Sequence, residues 1–148
     1  MESKFLENRP LFKECLDALN TKLLPEQDSD KLTETFNTMF PLTEWGKIDW
    51  DKINKKIDIG YDPKDIIPNL KKLLGTSFFD MTAYIEWSTG GLPVIKTNMN
   101  DIVNNFDDVT CVAFEKFIFN PDLGYILEIL PGDKMTIGIV KPFQEIRK

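Results

Sequence analysis

In the first half of the chain, apolar side chains recur at the three-and-four spacing of a helix. Across residues 8–24, Leu11, Phe12, Cys15, Leu16, Leu19 and Leu23 repeat on one face. This predicts a helix with Pro10 in its first turn, where a missing N–H costs nothing, and with Pro25 as its stop. A second helix is predicted from about Asp30 to Phe40. Ser29 or Asp28 serves as its cap, Leu32, Phe36, Met39 and Phe40 form its stripe, and Pro41 ends it. Between residues 42 and 62 the pattern is mixed: Asp49 can cap a short helix bearing Trp50 and Ile53, while Ile57, Ile59 and Tyr61 alternate as in a short strand. Asp62 and Pro63 open a third helix. Pro68 kinks or restarts it, Leu70, Leu73 and Leu74 continue it, and Gly75 follows its end.

After residue 75 the period changes to two. In "FFDMTAYIEWSTGG", Phe79, Met81, Ala83, Ile85 and Trp87 form one set and Phe78, Asp80, Thr82, Tyr84, Glu86 and Ser88 the other. Residues 78–88 therefore read as a strand with a core face and a polar, acidic and aromatic face. "STGG" reads as a hairpin turn and "LPVIK" as a returning strand whose Pro93 favours an edge. "NMNDIVNNF" reads as a short helix or irregular crossing. "TCVAFEKFIF", "YILEIL" and "MTIGIVK" read as three further strands, joined by the turn sequences "NPDLG" and "PGDK". The expected fold is α+β, with N-terminal helices packed on a C-terminal antiparallel β-meander of about five strands. Residues 1–148 form one expected domain, mainly helical over 1–75 and mainly β over 76–148.

Composition adds a charge asymmetry. The net charge is −6, yet residues 73–133 alone hold nine acidic and two basic residues. Residues 1–72 are nearly balanced and residues 134–148 are basic. An acidic chain is repelled by phosphate backbones and anionic membranes, so neither nucleic acid nor membrane is an expected partner. The attractive alternative is a basic protein. Asp80, Tyr84, Glu86, Asp101, Asp107 and Asp108 are the candidate partner-binding residues, since carboxylates select Lys and Arg and Tyr supplies contact area. The competing explanation is that these acids only keep strand edges and loops solvated.

Catalytic signals are sparse. The chain has no histidine, which removes Ser-His-Asp and Cys-His catalysis and His-ligated zinc. "STGG" lies between two strands rather than before a helix, so it is not a phosphate loop. Asp49, Asp51, Asp58 and Asp62 lack the register of a calcium loop. Asp107 and Asp108 can do acid–base work only if another acid comes close. Cys15 and Cys111 read as buried structural thiols in a reduced protein. With eleven Phe and 42% apolar residues, a chain of this length can bury a core without disulfide or metal. No cofactor, metal or catalytic residue is expected. The N-terminal stretch "MESKFLENRP" has no apolar run and nothing later is long enough to span a bilayer, so a cytoplasmic location is expected. Trp45 and Trp50 sit in the least regular segment, where one of them can be exposed and usable at an interface.

The stretch "VAFEKFIFNPDLGYILEILPGDKMTIGIV", with one strand ending in Asn-Pro, a second beginning at Gly-Tyr and a third containing Ile-Gly-Ile, resembles the small immunity proteins that bacteria keep against their own polymorphic toxins. Those of contact-dependent growth inhibition systems are the nearest comparison. The resemblance implies a non-enzymatic protein that binds and neutralises a cognate toxin domain, often a basic nuclease, as a one-to-one complex. Two other readings stay open on the residues alone: an acidic adaptor module for another basic protein, and a small carboxylate-based enzyme or ligand-binding domain.

Overall fold

The computed structural model describes residues 2–75, 78, 80–87 and 91–140, with side chains from residue 5 onward. Helices α1 (Glu2–Glu7), α2 (Pro10–Ala18) and α3 (Glu26–Met39) come first, followed by a 3-10 turn at Trp50–Lys52 and strand β1 (Lys55–Gly60). A second 3-10 turn (Pro63–Asp65) leads into α4 (Ile66–Leu74), then β2 (Thr82–Trp87), β3 (Ile95–Asn98), α5 (Met99–Asn104) and α6 (Phe106–Thr110). Strands β4 (Lys116–Asn120), β5 (Tyr125–Ile129) and β6 (Met135–Ile139) complete the described chain. All strand pairings are antiparallel and the order is β1-β6-β5-β4-β2-β3. The fold is α+β: the helices are mostly N-terminal, and five of the six strands follow residue 80. The sixth is the short alternation at Ile57 and Ile59, which closes the sheet against β6 with a bulge between Asp58 and Gly60.

Several expected boundaries move, each for a local reason. The first helix stops at Ala18 rather than running to residue 24. Asn20 takes a left-handed φ of 53°, and the N–H groups of Asn20 and Thr21 donate back to Asp17 O and Leu16 O at 3.1 and 3.0 Å. That reciprocal pair closes a helix C-terminus, and Asn is one of the few residues that tolerate it. The second helix begins at Glu26, with Pro25 at its N-cap. Ser29 is not the cap. It is buried inside the helix, where its hydroxyl accepts the Val94 N–H at 2.9 Å. The strand expected across residues 110–119 starts only at Lys116, because residues 106–110 continue as α6. Cys111 consequently lies just past α6 and is exposed, against the expectation of a buried thiol. Cys15 is buried as expected, and burial pushes its thiol up to about 12. Phe79 and most of the "STGG" turn lie outside the described residues, as does the basic segment from residue 141.

The sheet is covered on both faces. On one, α1, α2, α4, α5 and α6 pack over Ala83, Ile85, Trp87, Ile118, Leu127 and Ile137. On the other, α3 and the segment that follows it lay Phe36, Phe40, Ile48 and Ile53 over Phe117, Phe119 and Ile126. The ring of Phe36 lies 5.5, 5.5 and 5.2 Å from those of Phe40, Phe117 and Phe119, within the range at which aromatic pairs attract beyond simple burial. Trp50 packs closely against the β6 backbone: a Cβ placed on Gly138 would meet its ring carbon Cζ3 at 2.6 Å. The β3 edge is tied down as well, since Thr21 Oγ1 donates to Lys96 O at 2.8 Å beside the Ser29–Val94 bond. The bond to Lys96 O takes up one of the edge's outward-facing backbone groups.

Candidate functional site

The fold separates the six candidate residues into three settings. Tyr84 and Glu86 alternate with Ala83, Ile85 and Trp87 and point to the second face of the sheet. That face is occupied by α3. The Tyr84 ring lies 5.8 Å from that of Phe119, and Thr33 Oγ1 on α3 donates to Glu86 Oε1 at 3.1 Å. Burial pushes the Glu86 carboxyl above the usual carboxylate range, and the Thr33 bond only partly opposes this. The helix sits there because Leu32, Phe36 and Met39 need an apolar partner, and Phe117, Phe119 and Ile126 provide one. The signal for this second core is present in the sequence. "KFIFN" and "YILEI" carry apolar residues on both faces, Ile118 opposite Phe117 and Phe119 and Leu127 opposite Ile126, as strands buried on two sides do.

Asp80 and Asp101 hold local backbone. Asp80 Oδ1 accepts the Thr82 N–H at 2.9 Å at the entry to β2, which holds its carboxyl below the usual range. Asp101 sits in the first turn of α5 and exchanges bonds with the cap residue: Asn98 Nδ2 donates to Asp101 Oδ2 at 2.8 Å, and the Asp101 N–H donates to Asn98 Oδ1 at 2.9 Å. This is a reciprocal capping arrangement.

Asp107 and Asp108 stand in the first turn of α6 and line an open hollow of about 430 Å³. Its other walls include Tyr61, Asn104, Asn105 and Asp133. Asp133 is at the tip of the β5–β6 turn with a left-handed φ of 71°. Tyr61 follows β1 and is 64% exposed. Three carboxylates and an exposed phenol ring thus converge from three stretches distant in sequence. Among the described residues, no ion pair joins Asp107, Asp108 or Asp133 to a cation. The contribution of Asp133 and Tyr61 is invisible to local pattern, since only the β1–β6 pairing and the packing of α5 and α6 bring them to this hollow. Of the two tryptophans in the irregular segment, Trp45 is exposed and Trp50 is half-buried.

Among the described residues, no group of three or more Cys, Asp or Glu side chains is placed to hold a metal ion, and no helix is long and apolar enough to cross a membrane. A family model described as "CdiI immunity protein EcoliA0-like" matches residues 9–138. The chain belongs to this CdiI immunity protein family. Its role is immunity against a toxin, and its partner is a cognate toxin protein. The match runs from just before α2 into β6 of this CdiI protein, and so covers helices α2 to α6 and strands β1 to β5 as well. No curated protein matches the CdiI chain.

Proposed function

We propose that this CdiI protein neutralises a basic toxin domain, of nuclease type, by presenting an acidic surface centred on Asp107 and Asp108. It does so without catalysis, in the cytoplasm and as a one-to-one complex. The observation that carries the reading is the hollow on which Asp107, Asp108 and Asp133 converge with no ion pair to a cation among the described residues. A nuclease must hold phosphates on a cationic surface, and such a surface attracts unpaired carboxylates in place of its substrate. Asp80 and Asp101 are further candidate contacts, each carboxylate fixed in place by its local bonds. Tyr84 and Glu86 contribute from beneath α3, which they help to seat.

The test is charge reversal. The variant Asp107→Lys/Asp108→Lys should associate at least tenfold more slowly with the purified toxin domain at low salt. Its rate should also lose most of the salt dependence of the wild type, because steering falls away with screening. Asp51→Lys, an exposed change elsewhere, serves as the control. Wild-type association rates for the doubly reversed protein would remove this hollow from the interface.

A further inference from the structure

Two exposed aromatic side chains are left unexplained by the packing. Trp45 is 79% exposed and Phe114 is 81% exposed. Each lies on a loop, and the loops are joined at one point, where Lys47 Nζ donates to Glu115 Oε2 at 2.9 Å. Both loops are held firmly. The Thr43 N–H donates to Lys47 O at 2.7 Å and the Gly46 N–H to Thr43 O at 3.0 Å, closing the turn under Trp45. On the other side, the buried ammonium of Lys116 donates to the carbonyls of Thr110, Ala113 and Phe114 at 3.0, 3.0 and 3.3 Å. A lysine has three donors, and all three fasten this loop. Phe114 is therefore presented from a fixed position and is not a side chain adrift on a loose loop.

Phe114 also forms a wall of a second open hollow, about 460 Å³, whose other walls include Cys111, Pro131, Gly132 and Asp133. Asp133 belongs to the acidic hollow described above as well, so the two hollows meet at the β5–β6 turn. An aromatic ring with an open face beside a carboxylate suits a guanidinium, which stacks on the one and bonds the other. Rigid, exposed aromatics next to a charged surface are where most of the binding energy of a protein interface concentrates. A second copy of this chain is a poor occupant, since Glu44, Asp108 and Asp133 would face their own counterparts.

We propose that Trp45 and Phe114 are the anchors of the toxin interface, and that arginine side chains of the toxin stack on them with Asp133, which shares a hollow with Phe114, and Glu44, the exposed neighbour of Trp45, as their carboxylate partners. This rests on the immunity reading and adds to it where affinity, as opposed to attraction, comes from. Acidic groups set how quickly the partners meet. The aromatic pair sets how long they stay.

The test uses the full chain and, as probe, a catalytically disabled form of the cognate toxin domain. Trp45→Ala and Phe114→Ala should each weaken binding at least tenfold, mainly through faster dissociation, and the double variant at least a hundredfold, with growth protection falling in step. Melting temperatures should stay at the wild-type value, because neither ring is packed. Trp45→Phe and Phe114→Tyr should bind within about threefold of wild type, because a stacking face remains. Leu11→Ala, which removes another exposed apolar side chain at 48% exposure, should change nothing. If both alanine variants bind within twofold of wild type while Asp107→Lys/Asp108→Lys weakens binding, the aromatic anchors are refuted and the acidic interface stands. If the wild type itself does not bind, both fall. A concentration-dependent dimer of the free protein that Trp45→Ala/Phe114→Ala dissolves would assign the rings to self-association and overturn the proposal.

Discussion

The contact between Gly138 and Trp50 makes a sharp prediction about stability. Gly138 lies in the middle of β6, paired with Ile126 and Lys56. Its absent side chain is the space that Trp50 fills. In Gly138→Ala the new methyl would sit 2.6 Å from Trp50 Cζ3 and 3.1 Å from Ile53 Cγ2, about 1 Å inside ordinary carbon contact on the first. Gly138 does not have a positive φ, so the backbone accepts alanine and the whole penalty is steric. Overpacking of this kind costs about 1–3 kcal/mol, and the lower chain entropy of alanine offsets about 0.4–1 kcal/mol of it. Displacing the indole also strains the bond in which Trp50 Nε1 donates to Glu128 Oε1 at 2.8 Å. A hydrogen bond to a charged group is worth about 1.5–3 kcal/mol. The expected net loss is about 2–4 kcal/mol, or about 5–12 °C in melting temperature for a domain of this size. Urea unfolding followed by circular dichroism and tryptophan fluorescence measures it. The decisive control is the double variant, because without the indole the methyl has room. In a Trp50→Ala background, the loss from Gly138→Ala should shrink by more than half. A Gly138→Ala protein within about 0.5 kcal/mol of wild type, or an undiminished loss in the Trp50→Ala background, would show that this contact does not hold the segment to the sheet.

Two further predictions concern the same face of the sheet. Phe36→Ala should destabilise by about 3–5 kcal/mol in the same assay, since it empties the centre of a four-ring cluster, whereas Asn37→Ala on the exposed side of α3 should be near neutral. Burial first of all pushes the carboxyls of Glu86 and Glu128 above their ordinary range. Their share of stability is therefore present below the unfolded-state value and lost as pH rises through the higher folded-state value. Glu128→Gln should accordingly be more stable than wild type at pH 7.5, with the gain fading toward pH 4, as read from unfolding midpoints across that range.

The inner face of β2 was readable because its alternation is clean: Ala83, Ile85 and Trp87 are apolar and their neighbours are not. That same alternation suggested an open outer face, and Tyr84 and Glu86 instead lie under α3. A strand reports which side chains share a face, but whether a second layer covers that face depends on its neighbours. Here the neighbours β4 and β5 are apolar on both sides, and they draw the helix over β2 as well. The run from Val109 to Ala113 is short and, Thr110 apart, apolar, so it fits either period; α6 takes its first two residues, and Lys116 ties down the carbonyls of Thr110, Ala113 and Phe114. Asp107 and Asp108 were picked out by charge alone. Their companions Asp133 and Tyr61 flank β6 and β1, the two strands that pair last along the sequence, and no local window relates them.

That last pairing bears on synthesis. Strand β1 leaves the ribosome early, and its partner among the described strands, β6, is near the end of the described chain. Until β6 emerges, residues 55–60 have nowhere to bond and the hollow beside Tyr61 has no far wall. A nascent chain thus lacks the assembled hollow, and on the proposed reading protection comes from molecules translated through β6.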